Sequence, residues 1–247
     1  FRHGTLSTLE DGYGISLRPL VTFAIKTYEK DPPATFKVRS VDSSDSGDYS
    51  ARILAKMHKA IVVLGFKLES QLIDRHGEYD ADYLDKWSRI NFPRGFAYLN
   101  NVFYPLEDTY FPSVDLKDPS ALTEDEVDLM ETLANEFVHS AKLKAHLEFL
   151  ITHGSMYLTN NGNLLFHGCI PMEKNGRLSK MFGRDGKELL DYFDKLGRRM
   201  SSDQNGPIDD KYGYPVKTTL FEGFFICGDF LITRRAAHIF FELIHVH

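Results

Sequence analysis

Apolar residues with a helical period predict a long helix that ends at Ser70. They recur every three or four positions, as on one face of an α-helix: Ile53, Leu54, Met57, Ile61, Leu64 and Leu68. Asp48 or Ser50 precedes them and can cap the helix. Five polar positions interrupt the run, and we expect them on a solvated face: Lys56, His58, Lys59, Lys67 and Glu69.

A second periodic segment predicts the longest helix of the chain. Thr123 and Glu126 have the spacing of a capping box, in which each side chain accepts a hydrogen bond from a free backbone N–H at the helix start. An apolar stripe follows them: Val127, Met130, Leu133, Ala134, Phe137, Val138 and Ala141. Gly154 can end this helix.

Shorter elements lie on either side of these helices. A short helix begins at Arg18 or Pro19, since proline suits the first helical turn. Residues 92–95 form a turn next to two short strands, 96–99 and 102–104. Near residue 186 an amphipathic helix begins and continues to Arg199, with Leu189, Leu190, Phe193 and Leu196 on its apolar side.

The pattern changes to that of a β-hairpin around Asn161 and Gly162. This pair suits a two-residue type I′ turn, which needs positive φ at both residues. Residues 164–166 follow as an unbroken apolar run, so we expect an interior strand covered on both faces. Together with the stripe on the helix from Glu124, this run predicts an α/β chain with helices packed on part of a mixed sheet.

His167 stands where the second strand of the hairpin ends, and Gly168, Cys169, Ile170 and Pro171 follow it. A strand end holds an imidazole on a rigid support, and a glycine beside it lets the backbone approach a ligand closely. One histidine has no metal-ligand spacing, however. The residues alone therefore favour a hydrogen-bonded core or rim histidine over a metal ligand.

Composition narrows the class of protein. The 247 residues suit one large domain or two small ones, and 43% hydrophobic residues are enough for a core. A net charge of −6 gives no basic surface for nucleic acid. Cys169 and Cys227 cannot form a disulfide framework, which favours the cytoplasm. No apolar run reaches the roughly 18 residues of a membrane span, and no signal peptide opens the chain, whose first residue is Phe1.

Three segments of the chain are EDGYGISLRPLVTFAIKTYEKDP, KMHKAIVVLGFKLESQLIDRHGEYD and GNLLFHGCIP. They resemble the bacterial class III fructose-1,6-bisphosphatases, a family of binuclear metallophosphatases. The resemblance implies a partial calcineurin-like metallophosphatase fold, incomplete at both ends, in which His167 is one metal ligand. It also implies two Mn²⁺ ions in the complete enzyme, and hydrolysis of the 1-phosphate of the sugar bisphosphate fructose 1,6-bisphosphate in gluconeogenesis.

The resemblance covers residues 1–199, assigned to the central part of the metallophosphatase domain, and leaves 200–247 as an unmatched tail. The family's other ligand motifs are not matched in context, and Gly228-Asp229 is only a faint echo of one. A two-ion phosphatase needs ligands for both metals, so we expect this chain alone to be inactive. The alternative is a non-catalytic regulatory or binding module on the same scaffold. Whether the chain forms a homo-oligomer stays an open question.

Two other patterns resemble metal sites, and we expect neither to bind metal. Asp74 and His76 have a D-x-H spacing, but they follow a predicted helix and not a strand. Three histidines recur every seven residues along the helix predicted from Glu124: His139, His146 and His153. Helical metal ligands usually lie three or four positions apart, so solvated or capping roles are expected for them.

Overall fold

The computed structural model describes residues 6, 8–31, 36, 49–75, 85, 87–99, 101–166, 170–202, 208–209 and 214–215. They form two compact units. Among the described residues, the first unit ends at Leu143 and the second begins at Lys144. The predicted boundary between 199 and 200 stays a prediction.

In the first unit, the described residues form three complete α-helices, which are α1 (Arg18–Thr27), α2 (Ala51–Arg75) and α3 (Glu124–His139). Its antiparallel sheet has the order β1 (Ile90–Asn91), β2 (Phe96–Leu99), β3 (Val102–Pro105). The predicted helix from Arg18 and both predicted strands are confirmed. Ser50 caps α2, because its Oγ accepts a hydrogen bond from the Ile53 N–H at 3.4 Å. The helix continues past the predicted end at Ser70.

Helix α2 lies between two hydrophobic clusters of the first unit. The cluster on one side includes Leu54, Met57 and Leu64 together with residues of α1 and α3. The cluster on the other side includes Val62, Val63 and Phe66 together with residues near the sheet: Trp87, Ile90, Ala97 and Phe111. Because protein packs on both sides, α2 is buried around most of its circumference.

The prediction of a solvated face on α2 is wrong. All five polar positions are buried: Lys56, His58, Lys59, Lys67 and Glu69. The segment between β3 and α3 supplies oxygen acceptors to Lys59 and Lys67 from residues 108, 110 and 113, and the first turn of α3 supplies one from residue 126. A buried lysine needs such partners, since burial of an unpaired charge is very costly.

Lys59 is held by two carboxylates and by aromatic rings. Its Nζ donates to Asp31 Oδ2 at 2.6 Å, to Asp108 Oδ2 at 2.7 Å and to the carbonyl of Tyr110 at 2.6 Å. Four rings lie within 6 Å of the ammonium group, which adds cation–π attraction: Tyr28, Phe36, Tyr110 and Phe111. Lys59 therefore fixes α2 to the segments around Asp31 and Asp108.

Lys67 joins α2 to the start of α3. Its Nζ donates to Glu126 Oε2 at 2.7 Å and to the carbonyl of Ser113 at 2.6 Å. The same Glu126 oxygen accepts from the backbone of Thr123 at 2.8 Å, and Thr123 Oγ1 accepts from Glu126 N–H. The predicted capping box is confirmed. The Glu126 carboxylate of this box also forms a fully buried ion pair with Lys67.

The long helix predicted from Glu124 to Gly154 is two helices. α3 ends at His139, and α4 (Ala141–His153) begins after Ser140, whose backbone is extended. Ser140 Oγ donates to the carbonyl of Tyr13 at 2.6 Å and accepts from the Leu143 N–H at 3.3 Å, so this serine caps the new helix. Much of the predicted stripe is exposed, including Val127, Phe137 and Val138. Of the helices that the structure describes, the longest is α2.

The second unit contains most of α4, a hairpin of β4 (Tyr157–Asn160) and β5 (Asn163–Phe166), and α5 (Gly186–Ser202). A short antiparallel pair, β6 (Ile208–Asp209) with β7 (Tyr214–Pro215), lies in this unit too. The core is small. Leu189 and Phe193 are its buried members, and partly buried Met156, Met181, Phe182 and Tyr192 pack against them. The predicted amphipathic helix over residues 186–199 is confirmed.

The strands correct two predictions. All described strands pair antiparallel, in three separate sheets, so the predicted mixed sheet is not formed by the described residues. The prediction of an interior strand at 164–166 is also wrong. β5 belongs to a two-stranded sheet, and Phe166 is 42% exposed. An unbroken apolar run is typical of a strand with both faces buried. Burial also requires other elements that pack on those faces, and the run itself does not show whether they are present.

Candidate functional site

The hairpin β4–β5 is the part of the described structure that leads to the predicted metal ligand. Its turn has φ of 50° at Asn161 and 75° at Gly162, as the predicted type I′ turn requires. Asn160 pairs with Asn163, and Tyr157 pairs with Phe166. Phe166, the last residue of β5, directly precedes His167. The histidine itself lies outside the described residues, as do Gly168 and Cys169, so its role as a ligand stays a prediction.

Helix α5 holds the first strand of the hairpin through two aspartates. Asp194 Oδ1 accepts from the backbone N–H of Met156 at 3.2 Å. Asp191 Oδ1 accepts from Tyr157 Oη at 2.9 Å. The two aspartates are three positions apart and so lie on one side of the helix. The start of β4 is therefore positioned by side chains that lie more than thirty residues later in the sequence.

Arg198 extends this contact to the end of α4. Its Nη1 donates to the carbonyls of Ile151 at 2.7 Å and Thr152 at 3.2 Å, and its Nη2 donates to the carbonyl of Gly154 at 2.5 Å. The carbonyls at a helix C-terminus lack partners within the helix and favour a cation. Because Arg198 Nε also donates to Asp194 Oδ2 at 3.0 Å, one arginine joins the end of α4 to α5.

Lys187 completes the polar contacts of the hairpin. Its Nζ donates to Asp191 Oδ2 at 2.5 Å and lies 5.5 Å from the centre of the Tyr157 ring. The hydrogen bond from Lys187, followed by that from Tyr157, lowers the pKa of Asp191. The hydrogen bond to Asp191 raises the pKa of Lys187. Both groups are thus held in their charged forms, although solvent weakens the pair because Lys187 is exposed.

A shallow groove of about 530 Å³ runs along the hairpin. Its described lining is mostly apolar or uncharged: His153, Ser155, Met156, Tyr157, Leu158, Leu164, Leu165 and Phe166. Among these residues, His153 is the one that can carry a positive charge, and its ring stacks on Phe149 with 4.6 Å between centroids. A phosphorylated ligand needs several cationic or N–H donors, so this groove suits an apolar partner better than a phosphate.

The structure describes one residue of the rejected D-x-H pattern and all three histidines of the helical pattern, and the absence of metal from the D-x-H pattern stays a prediction. Asp74 is exposed within the last turn of α2, and His76 lies outside the described residues. His139 belongs to α3, whereas His146 and His153 belong to α4, and all three are exposed. His139 Nδ1 lies 2.8 Å from the Asn135 carbonyl, and His153 Nδ1 lies 3.3 Å from that of Phe149. The predicted solvated or capping roles of the three histidines are confirmed.

Among the described residues, no three His, Cys, Asp or Glu side chains converge in a way that could hold an ion. The part of the chain that the structure describes therefore does not fit a two-ion site, and no step of phosphate hydrolysis is derived through a metal. None of its helices combines the length and apolar character needed to cross a bilayer.

The sequence pattern did not reveal the contacts from α5. Asp191, Asp194 and Arg198 are spaced three and four positions apart, which indicates an ion pair along one helix. Their partners in α4 and β4 are distant in sequence, and no periodicity marks such contacts. One signal was present in the sequence: Arg198 lies on the polar face of a helix that comes after a helix C-terminus and a hairpin. Such an arginine can bind the free carbonyls of the helix end.

Comparison with known proteins identifies the class. The family model described as Firmicute fructose-1,6-bisphosphatase matches residues 1–214. The chain belongs to this family. It is 42% identical over 226 residues to the class 3 fructose-1,6-bisphosphatase of Clostridium novyi (strain NT), and 41% identical over 226 residues to that of Clostridium botulinum (strain Langeland, type F). Each match covers 90% of this chain and 34% of the relative. The chain thus spans about a third of the length of these relatives. No solved structure matches it.

Proposed function

We propose that this chain contributes to a metal-dependent phosphatase that hydrolyses the 1-phosphate of fructose 1,6-bisphosphate, a reaction of gluconeogenesis. The observation that carries the proposal is the family match over residues 1–214, with about 40% identity to two class 3 fructose-1,6-bisphosphatases. The relatives that carry this name are about three times as long as this chain.

Within that reaction, His167 would supply one nitrogen ligand to one ion of a two-ion Mn²⁺ site. The support is its place directly after β5, whose partner strand is held by Asp191 and Asp194 of α5. A bound pair of divalent ions would activate water and neutralise phosphoryl oxygens. The other ligands would come from residues outside the described part, in a calcineurin-like fold that we propose for the longer protein. The cytoplasm and a homo-oligomer stay predictions from the sequence.

A chimera tests this proposal. Residues 1–214 of this chain replace the matched segment of the Clostridium novyi relative, and phosphate release from fructose 1,6-bisphosphate is measured with Mn²⁺. We expect the chimera to be active. His167→Ala in the chimera should lower kcat by about 100-fold or more, since removal of a metal ligand affects both metal binding and water activation. His153→Ala, an exposed histidine of the same unit, is the matched control and should leave kcat within about twofold.

Two outcomes would contradict the proposal. A chimera that unfolds cooperatively but releases no phosphate would show that this chain does not carry the family's reaction, and would favour the regulatory or binding module. A fully active His167→Ala chimera would remove the histidine from the metal site. Residues 1–247 alone, with excess Mn²⁺, should release no more phosphate than their His167→Ala variant.

A further inference from the structure

Cations are concentrated in the segment that follows the predicted metal ligand. Residues 171–187 contain five cations and two carboxylates, a net charge of +3, whereas the whole chain has a net charge of −6. The cations are Lys174, Arg177, Lys180, Arg184 and Lys187, and the carboxylates are Glu173 and Asp185. The charge of this segment is therefore opposite in sign to that of the chain as a whole.

A tight turn presents the first two of these cations. The Glu173 N–H donates to the Arg177 carbonyl at 2.7 Å, and the Gly176 N–H donates to the Glu173 carbonyl at 2.9 Å. Gly176 has a φ of 81°, which is typical of a three-residue hairpin loop that ends in a left-handed glycine. Lys174 is the first residue of this loop, and Arg177 comes directly after it. We call residues 172–180 the basic hairpin.

The basic hairpin is also fixed at its base. Met172 and Leu178 form an antiparallel bridge, and the Ser179 N–H donates to the carbonyl of Pro171 at 3.0 Å. Ser179 Oγ donates to Glu173 Oε1 at 2.9 Å, so the one carboxylate of the hairpin already has a partner. A loop that is held in this way needs little further ordering of its backbone when a ligand binds.

Three cations of the basic hairpin are exposed, and within the described residues their side chains form no hydrogen bond, ion pair or ring contact: Lys174, Arg177 and Lys180. The other two cations of the segment have partners in α5. Lys187 binds Asp191, and the Arg184 guanidinium lies 4.3 Å from the centre of the Tyr192 ring. The hairpin thus offers one guanidinium and two ammonium groups to an anion from outside.

The chemistry of these groups favours a phosphate ester. A guanidinium can form two parallel hydrogen bonds to phosphate oxygens, and a lysine adds a point charge. A nucleic acid would need a longer row of cations, and the net charge of −6 opposes its approach. A phosphate group on a small molecule fits three cations at one turn.

The place of the basic hairpin in the chain relates it to one particular phosphate. Four residues separate His167 from Pro171, so their Cα atoms are at most roughly 14 Å apart. Fructose 1,6-bisphosphate carries its phosphates at opposite ends of the sugar. The phosphate that is hydrolysed lies at the proposed metal site, and the other needs cationic side chains one sugar length away. The long side chains of the basic hairpin can reach this second position.

We propose that the basic hairpin binds the phosphate of the substrate that is not hydrolysed, with Arg177 and Lys174 as its main ligands and Lys180 as an additional charge. The inference rests on the proposed function, because that phosphate belongs to the substrate of the family's reaction. The bound phosphate does not change during hydrolysis, so these side chains stabilise the bound substrate and the transition state equally. They determine which phosphorylated sugars bind and do not take part in bond cleavage.

Steady-state kinetics of the chimera with the Clostridium novyi relative test this assignment. Arg177→Gln should raise KM for fructose 1,6-bisphosphate by about 10-fold or more and leave kcat within about twofold, since uniform binding is lost. Arg177→Lys should recover part of the KM, because it keeps the charge without the planar fork. Lys144→Gln, at an exposed cation of α4, is the matched control and should change neither constant. An unchanged KM in Arg177→Gln, or a loss in kcat alone, would overturn the proposal.

Binding to residues 1–247 gives a test that needs no catalysis. The probe is fructose 6-phosphate, the product that keeps the phosphate in question, and unphosphorylated fructose is its control. In NMR titrations, the Arg177 Nε–H and the Gly176 amide should shift with fructose 6-phosphate but not with fructose, while the Lys144 amide stays in place. Equal shifts at Lys144 and Arg177 would reduce the binding to unspecific charge attraction and overturn the proposal.

The phosphate site and the proposed reaction fail separately. A chimera that releases no phosphate, but whose Arg177 signal still shifts with fructose 6-phosphate, contradicts only the reaction. An active chimera in which Arg177→Gln abolishes these shifts without raising KM would assign the hairpin to a different phosphorylated ligand and overturn only the phosphate site. A DNA oligonucleotide that shifts the Arg177 signal at lower concentration than fructose 6-phosphate does would overturn it too.

Discussion

Burial in two regions is the opposite of what the sequence suggests. In helix α2 of the first unit polar residues are buried, and in the hairpin β4–β5 of the second unit apolar residues are exposed. Between its two ends α2 carries five charged or ionisable residues, at positions 56, 58, 59, 67 and 69, and all five are buried. β5 carries three consecutive large apolar residues, and all three are exposed. The helix has two hydrophobic clusters against it, whereas the hydrophobic cluster of the second unit has only two buried members among the described residues and includes no residue of β4 or β5.

The difference teaches what a local pattern can determine. Periodicity depends on neighbours three or four positions away, and it correctly predicts that α2 is a helix. Burial depends on what the rest of the chain brings to the element. Residues 108–126 bring carboxylates and carbonyls to α2, so lysines can be buried there at the cost of their hydration. No described residues do the equivalent for β5.

The largest expected effect comes from removing one partner of the buried ion pair. Lys67→Met should lower the free energy of unfolding of residues 1–247 by about 3–5 kcal/mol, because it leaves Glu126 charged and buried without its cation. Lys26→Met is the matched control. It breaks an ion pair with Asp125 in the same turn of α3, but that pair is exposed, so the cost should be below about 1 kcal/mol. Urea denaturation measures both.

A double variant sharpens this result. Lys67→Met combined with Glu126→Gln removes both buried charges and should recover part of the loss. It will not recover all of it, since Glu126 also accepts the Thr123 N–H in the capping box. Equal costs for Lys67→Met and Lys26→Met would show that Lys67 is solvated, as the pattern predicted.

The second prediction concerns alkaline pH and Tyr28, which packs in the cluster between α1, α2 and α3. Burial, together with the charges of Glu126 and Asp31, raises the pKa of Tyr28 well above its ordinary value near 10. Above about pH 10, the tyrosine hydroxyl loses its proton in the unfolded chain but keeps it in the folded chain. Stability is therefore fully present below about pH 10 and falls by about 1.4 kcal/mol per pH unit above it.

Tyr28→Phe isolates this contribution, since other groups also titrate at high pH. We expect the variant to lose less stability than the wild type between pH 9.5 and 11, with the difference approaching about 1 kcal/mol. Thermal unfolding at fixed ionic strength measures it. Parallel pH profiles of the two proteins would place the hydroxyl of Tyr28 in contact with water.

The sequence predicted the elements of this fold more successfully than their environment. The cap at Ser50, the capping box at Thr123, the type I′ turn at Asn161 and the end of α4 at Gly154 are all confirmed, because each depends on backbone chemistry within a few residues. The break at Ser140 depends on a distant carbonyl, that of Tyr13. The contacts of Arg198 and Lys59 are likewise set by tertiary structure, so no local pattern could reveal them.

The third prediction breaks the contact between α5 and the end of α4. Arg198→Met removes three hydrogen bonds to carbonyls and the bond to Asp194, but the side chain is 41% exposed, and water replaces part of the loss. We expect a cost of about 1 kcal/mol and faster exchange of the Met156 amide. Arg198→Lys keeps the charge without the planar fork, so it should recover less than half. An unchanged exchange rate of the Met156 amide in Arg198→Met would show that Arg198 does not help to position the start of the hairpin.

The smallest expected effect is that of truncating a leucine of β5, and the same truncation in α2 provides the large effect with which it is compared. Leu64→Ala should cost about 2–5 kcal/mol in residues 1–247, because Leu64 is 2% exposed between packed helices and its removal leaves a cavity. Leu165→Ala makes the same chemical change at a side chain that is 51% exposed, and it should cost no more than about 0.5 kcal/mol. Urea unfolding midpoints with a constant m-value measure the pair. If β5 is covered in the chimera, the cost of Leu165→Ala should rise there toward that of Leu64→Ala, because the same methyl groups are then removed from a packed environment. A small cost in both proteins would mean that β5 stays at the surface even at the full length of the family.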